Sequence, residues 1–383
     1  MRTEFLVFGS PYFGPEEEEE VLDSMRRSWI GTGPKVKLFE TAFAQYKNIP
    51  YSAAVHSCTA ALHLSCLALG LKPGDEVITT AMTFCATVNA IIHAGATPVL
   101  ADIDPVTLNI DPEDIERKVT PRTRAVLIVH FAGRPCKMDE ILAVASRHHL
   151  YVIEDCAHAL ETEYHGQKAG TLGDIGCFSF YATKNISTGE GGMAITHKSE
   201  WIQAIKIMAL HGLSADAWQR FSDKGYKHYF MTELGFKYNM MDLQAAMGIH
   251  QIKKIDLFWQ RRSQIWQFYM DRLKSLPVGL PAPVDPGSKH AYHLFTIEID
   301  PSKAGVSRDR FLEEMTKRKI GVGVHYCAIP EHPYYQKRFG WRSEDFVHAA
   351  RYGSQTVSIP ISPKLTDRDL EDVVEAVSDI LSS

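Results

Sequence analysis

The stretch GCFSFYATKNISTGEGGM, from Gly176 to Met193, decides how the chain is read. It opens on an apolar, aromatic run, Cys177 to Tyr181, of the length and composition of a buried strand. One cation follows, Lys184, and then a glycine-rich turn, Gly189-Glu190-Gly191-Gly192, which feeds a second apolar run, Met193-Ala194-Ile195-Thr196. A lysine set just beyond a buried strand loses hydration, and desolvation lowers an amine's pKa. A neutral amine is what Schiff-base chemistry requires. From these residues alone a solvated surface lysine, which is what most lysines are, is the commoner reading.

Upstream, short apolar runs alternate with helical patterns. Ala53 to His56 reads as a strand, followed by Ser57-Cys58-Thr59 and an Ala/Leu-rich helix to about Leu69. That order aims backbone N–H groups at one spot, an anion site, although an ordinary Ser/Thr helix cap has the same appearance. Further strands are expected at Glu76 to Thr80, Val99 to Ile103, Ala125 to Val129 (ending in His130) and Leu150 to Ile153 (ending in Glu154-Asp155). Helices lie between them, at Met82 to Ala94, Pro112 to Val119 and Met138 to His148. The alternation predicts an α/β fold with a mostly parallel sheet covered by helices on both faces. Ligands collect at the carboxyl ends of such strands, where His130, Asp155 and the Ser57 turn stand.

Downstream, residues 198–211 read as helix and 213–232 as a long loop. A continuous helix is expected from Met241 to about Lys274, connecting to a smaller α+β unit. That unit is read as strand 292–299, helix 307–318, strand 320–326, a loop containing Pro330 and Pro333, and helix 366–381. The division expected is a large cofactor-binding domain with an amino-terminal arm, 1–250, and a connector helix with a small domain, 251–383. The acidic run Glu16 to Glu20 after Pro15 reads as the first turns of a solvated helix.

The totals narrow the function classes. With 383 residues, 45% apolar and 23% charged, the chain has material for a large core. A net charge of -5 disfavours nucleic-acid binding, which needs a basic face. Seven cysteines without a CxxC pair fit small buried hydrophobes in a reduced, cytoplasmic setting better than a disulfide framework or a metal site. No apolar stretch is long enough to span a bilayer.

Read in order, Trp29-Ile30-Gly31-Thr32-Gly33-Pro34, Pro73-Gly74-Asp75-Glu76-Val77-Ile78, Gly95-Ala96-Thr97-Pro98-Val99, Ile153-Glu154-Asp155-Cys156-Ala157-His158-Ala159, Phe178-Ser179-Phe180 with Lys184, Glu190-Gly191-Gly192, Gly235-Phe236-Lys237-Tyr238-Asn239 and Gly323-Val324-His325-Tyr326 carry a resemblance over nearly the whole chain. The chain resembles the DegT/DnrJ/EryC1/StrS family of pyridoxal-phosphate sugar aminotransferases, and within it the branch that makes 4-amino-4-deoxy sugars. The resemblance implies a fold-type-I aminotransferase and a homodimer with shared active sites. It also implies pyridoxal 5'-phosphate as cofactor, with pyridoxamine 5'-phosphate as the intermediate form.

By resemblance, Lys184 is the Schiff-base lysine and proton carrier, and Asp155 pairs with the pyridinium nitrogen. A carboxylate there favours the protonated ring and makes the cofactor an electron sink. A helix cap is the competing reading of Asp155. His158 falls near the cofactor's phenolic oxygen, and Phe84 either stacks on the ring or fills the core. Ser57, Cys58, Thr59 and Ser179 are implied at the phosphate, with Asn239 or Lys237 reaching it from the partner subunit. The chain departs from the resemblance at Cys58, where many members of the family have Gly. His325 and Thr32 are implied on the substrate side, His325 being open to a purely structural reading. The implied reaction moves an amino group, with L-glutamate as donor, to C4 of a nucleotide-linked keto sugar for a surface polysaccharide, lipopolysaccharide or glycosylated metabolite. A 3-keto-sugar aminotransferase of the same family and a non-catalytic, sugar-nucleotide-binding regulator are the alternatives. Lys184 argues against a dehydratase relative, which has histidine at that position.

Overall fold

A computed structural model describes residues 2–214 and 229–382; most of the expected loop 213–232 therefore lies outside the described residues. Seven strands form the main sheet: β1 (Tyr51–Val55), β2 (Glu76–Thr80), β3 (Thr97–Ala101), β4 (Thr123–Val129), β5 (Tyr151–Asp155), β6 (Ile175–Ser179) and β7 (Gly192–Thr196). Their order is β1-β7-β6-β5-β4-β2-β3. Pairings β3–β2, β2–β4, β4–β5 and β5–β6 are parallel, while β7 runs antiparallel to both β6 and β1. β2 and β7 are buried at every position, as expected for strands with helices on both faces. Because only β7 is reversed, β1, β2, β4, β5 and β6 all deliver their carboxyl ends to one edge. The cofactor-type residues collect there.

Helix Cys58–Ala68 lies against the sheet with Ala61, Leu62, Leu64 and Cys66 in a core shared with Ala125, Leu127 and Ile153. A second core joins Ile265, Tyr269 and Leu273 of helix Ile255–Leu273 to a two-stranded sheet, β8 (Phe295–Glu298) and β9 (Thr356–Ile359), and to helix Asp367–Leu381.

Three sequence expectations are corrected. The long connector is two helices, Asp242–Gln251 and Ile255–Leu273, joined by a 3-10 turn at Ile252–Lys254. The break sits where Gln251 donates to Tyr12 O and Glu17, and where Lys254 pairs with Glu17 at 2.7 Å. The acidic helix Pro15–Arg26 is accordingly not solvated throughout, since Glu17 is 1% exposed. Finally, residues 320–326 make only single bridges, Ile320 to Leu6 and Gly323 to Ser358. The partner of β8 is Thr356–Ile359, within a stretch read as loop; four fully buried residues are too short a run to show a period.

Candidate active site

The carboxyl edge of the sheet borders a cavity of about 400 Å³. Ser57, Phe84, Asp155, His158, Ser179 and Lys184 all line it, as do Cys58, Thr59 and His325. Thr32, Lys237 and Asn239 do not.

Asp155 ends β5 and is 4% exposed. Its Oδ1 accepts from the Ala157 N–H at 3.1 Å and lies 3.8 Å from the Cys58 thiol, while Oδ2 accepts from Thr87 Oγ1 at 2.9 Å. Thr83 Oγ1 lies 2.8 Å from Thr87 Oγ1 and extends the chain. Burial pushes the Asp155 carboxyl above its ordinary range, against the pull of these bonds and of the Lys184 charge. Such a carboxylate is short of a cation, and a protonated ring nitrogen supplies one.

Lys184 follows the tip of β6, partly buried. Desolvation lowers its amine to about 8, with Asp155 among the groups opposing the shift. Among the described residues nothing hydrogen-bonds its Nζ. It has the environment that a Schiff-base amine needs.

The turn after β1 caps helix Cys58–Ala68: Ser57 Oγ accepts from the Ala60 N–H at 3.2 Å. The N–H groups of Cys58 and Thr59 fall in the first turn, which has no intrahelical acceptor, and the helix dipole favours an anion there. Gly192, opening β7, lets this turn come close. A Cβ on Gly192 would stand 2.3 Å from the Ser57 carbonyl carbon. Ser179 faces the same cavity, its hydroxyl accepting only a long 3.4 Å contact from the Tyr181 N–H. The side chain of Cys58 turns towards Asp155 and is 8% exposed.

Phe84 is 57% exposed, which excludes the core reading. His325 is stacked on Phe8, its Nδ1 2.8 Å from Ser358 Oγ, and desolvation together with the Lys184 charge lowers it to about 4. His158 is buried, and desolvation followed by the charges of Lys184 and His325 holds it well below its usual value.

Thr32 and Asn239 find each other instead of the cavity. Asn239 Nδ2 donates to Thr32 Oγ1 at 2.5 Å, and Thr32 Oγ1 donates to Met240 O at 2.6 Å. Lys237 is exposed. His130 is set behind the site: its Nδ1 accepts from the Cys136 N–H, and its Nε2 donates to Glu154 at 2.9 Å. Although His130, Glu154 and Cys156 place ligand-type atoms within 4.8 Å of one another, Glu154 already accepts from Gly170, Leu172 and Gly173 as well, so this cluster is structural.

Sequence reasoning missed Thr83, Thr87 and Tyr326. The i, i+4 spacing of the two threonines was the available signal for the first two. Tyr326 directly follows His325 in a segment already singled out.

A buried carboxylate short of a cation, a depressed lysine, a helix N-terminus and an exposed aromatic ring around one cavity fit a pyridoxal phosphate. Together with the sheet order they define a fold-type-I, pyridoxal-phosphate-dependent aminotransferase. The sequence profile of the DegT/DnrJ/EryC1/StrS aminotransferase family matches residues 11–378, and the chain belongs to that family. It is 47% identical over 382 residues to the spore coat polysaccharide biosynthesis protein SpsC of Bacillus subtilis, covering 99% of this chain and 98% of that one. Spr1654 from Streptococcus pneumoniae, assigned as a sugar aminotransferase, superposes in its pyridoxamine-phosphate form with a TM-score of 0.91 at 29% identity, covering 99% and 98% of the two chains. Its pyridoxal-phosphate form gives the same TM-score. PseC from Helicobacter pylori, an aminotransferase of pseudoaminic acid biosynthesis, matches at 26% identity with a TM-score of 0.91 over 99% of this chain and 100% of PseC. This chain is thus an aminotransferase acting on a sugar and an amino donor, with pyridoxal phosphate as cofactor.

Proposed function

We propose that the enzyme transfers an amino group from L-glutamate to the C4 keto group of a nucleotide-linked sugar, supplying an amino sugar for a surface polysaccharide. The observation that carries the reading is that Lys184 and Asp155 reach one cavity from the ends of adjacent strands. The polysaccharide role of SpsC supports the biosynthetic context.

When bound, the cofactor supplies an electron sink for the carbanion formed at the substrate carbon. Asp155 would hold the proton on its ring nitrogen, with Thr87, the Ala157 N–H and the Cys58 thiol keeping that carboxylate aimed. The Cys58 and Thr59 N–H groups with Ser57 and Ser179 would hold the phosphate. Phe84, exposed at the cavity, would stack on the ring. Lys184, at about 8, exchanges between neutral and protonated forms near neutral pH and carries the proton to and from the reacting carbon. His325 faces the substrate side.

We further propose a homodimer. Met25 and Leu38 are exposed apolar side chains on helices Pro15–Arg26 and Pro34–Lys47, which both pack against helix Asp242–Gln251, and Ile30 and Met241 are exposed in the segments that flank these helices; exposed apolar side chains of this kind support an interaction face. In that assembly Asn239 or the exposed Lys237 reaches the partner's phosphate site and Thr32 lies on the substrate side. The division into 1–250 and 251–383 is part of the same reading; the second core, from Ile265 onward, supports it.

The test is purified enzyme with glutamate and a panel of 4-keto and 3-keto nucleotide sugars, with products read by NMR. Amination at C4 is expected. Amination at C3, or none with any nucleotide-linked sugar, overturns the reading. Lys184→Ala should remove turnover and the lysine-dependent visible absorbance of the bound cofactor together.

A further inference from the structure

Lys184 stands in the loop between β6 and β7, and the residue after it is pinned by its side chain. Asn185 is buried, and its Nδ2 donates to Glu161 Oε2 at 2.7 Å and to Ala291 O at 2.9 Å. A carbonyl oxygen only accepts, so the contact with Ala291 fixes which end of the amide carries the hydrogens. Oδ1 then faces His293 Nδ1 at 2.9 Å, and that nitrogen is the donor. One amide thus ties the lysine's loop to Glu161 and to the segment 291–293 that leads into β8. The Lys184 N–H itself donates to Tyr181 O at 2.9 Å. Asn185, Glu161 and His293 all lie outside the lining of the cofactor cavity.

Glu161 cannot turn away from this bond. Its neighbours are held on both sides: Leu160 O accepts from Lys47 Nζ at 2.8 Å, and Thr162 Oγ1 donates to Gly133 O at 2.6 Å. Glu161 is 1% exposed, and its second oxygen, Oε1, has no hydrogen-bond partner among the described residues. The same holds for Nε of the buried Arg262, on helix Ile255–Leu273, whose Nη1 donates to the carbonyls of Tyr292, His293 and Ile361. Burial pushes the Glu161 carboxyl up to about 7, against the pull of the Arg262 charge and the Asn185 bond. Lys47, lowered by burial to about 8, adds a weaker pull. Arg262 keeps its charge, although burial lowers it to about 10. Burial and the Glu161 charge hold the Tyr46 phenol neutral, and burial keeps His293 well below its usual value. Glu161 is therefore the group in this cluster whose charge changes around pH 7. Its folded value lies above the ordinary 4.5, so its contribution to stability is complete below pH 4.5 and is lost as pH rises through about 7. For stability alone such a carboxyl is a poor choice.

We propose that Asn185 is the positioning residue of Lys184, and that Glu161 sets how firmly Asn185 is held, through a hydrogen bond that strengthens when the carboxyl is ionised. Both roles presuppose the Schiff-base role given above to Lys184. A bond to a charged acceptor is roughly twice as strong as a neutral one. Glu161 acts by geometry and not by its field. Burial sets the Lys184 amine, opposed by Cys58 and Asp155, and the Glu161 charge does not enter.

The test compares wild type with Glu161→Gln as apoproteins between about pH 6 and 8, by the rate at which each gains visible absorbance with pyridoxal phosphate. Lys184 titrates in both, so the ratio of the two rates isolates Glu161. That ratio should rise about fivefold with its midpoint near 7, the difference between a charged and a neutral hydrogen bond. Urea unfolding of the same apoproteins should show Glu161→Gln gaining stability relative to wild type over the same range. In an Asn185→Ala background the rate ratio should be flat, and Asn185→Ser takes its place if the alanine variant fails to fold. A flat ratio in the wild-type background overturns the role of Glu161. A ratio that still rises without the Asn185 amide overturns the route through that residue. An unfolding difference that does not change with pH means that Glu161 does not titrate here, and overturns its proton dependence. A wild-type protein that gains no absorbance from pyridoxal phosphate refutes the role of Lys184 itself; the unfolding comparison, made without cofactor, tells that failure apart.

Discussion

Thr87 Oγ1 donates a 2.9 Å hydrogen bond to Asp155 Oδ2, joining the helix after β2 to the tip of β5 across 68 residues of sequence. Both groups are buried, so water does not replace the bond when it is lost.

Thr87→Val should therefore leave the fold intact and loosen the carboxylate. A hydrogen bond to a charged group contributes about 1.5–3 kcal/mol, so kcat/KM should fall roughly ten- to a hundredfold. Steady-state kinetics beside a thermal melt will check this. A full-rate Thr87→Val enzyme would show that Asp155 is held well enough by the Ala157 N–H.

The pH dependence of cofactor capture follows from Lys184. Its folded pKa is lowered, from 10.5 to about 8, so the reactive neutral amine accumulates as pH rises through 8. The rate at which apoprotein develops visible absorbance with pyridoxal phosphate should climb from pH 6 to about 8 and then level off. A rate still climbing steeply past pH 9.5 would assign the lysine an ordinary, solvated amine.

Phe84 offers a test that separates binding from folding. Because the ring is 57% exposed, Phe84→Ala should cost little stability, unlike the loss of a core phenylalanine. Cofactor affinity should drop about two- to twelvefold, from a stacking contact of roughly 0.5–1.5 kcal/mol. Reconstitution titrations and melting curves on one preparation supply both numbers, and a lowered melting temperature with unchanged affinity would refute the stacking role.

At Gly192 the constraint is space. A Cβ there meets the Ser57 backbone at 2.3–2.4 Å, and backbone cannot swing aside as a flexible side chain would. Gly192→Ala should destabilise the protein by about 1–3 kcal/mol and displace the phosphate turn, weakening the cofactor's hold. Urea unfolding and reconstitution will measure the two effects; an unaltered protein would mean that β7 and the turn separate at little cost.

Much of the framework was legible in the residues. The alternation of short apolar runs with amphipathic segments predicts the sheet, and Lys184 and Asp155 are legible because one stands shortly after an apolar run and the other ends one. Glu17 was misread because an acidic run on a helix looks solvated until Gln251 and Lys254 are placed against it. β9 was missed because its four residues pair with β8 some sixty positions earlier and show no local period.

What the sequence by itself determined about this aminotransferase is therefore the set of strand ends and the residues standing on them. Strand and helix patterns are set by neighbours a few positions apart, and those neighbours are in the string. What only the tertiary structure decided is which groups hold those residues and in which direction the bonds point. Thr87 to Asp155, Tyr326 to His158 and Asn239 to Thr32 span 68, 168 and 207 residues. No local period records such a pair. Each exists because packing removes two polar groups from water and leaves each as the partner that the other can reach.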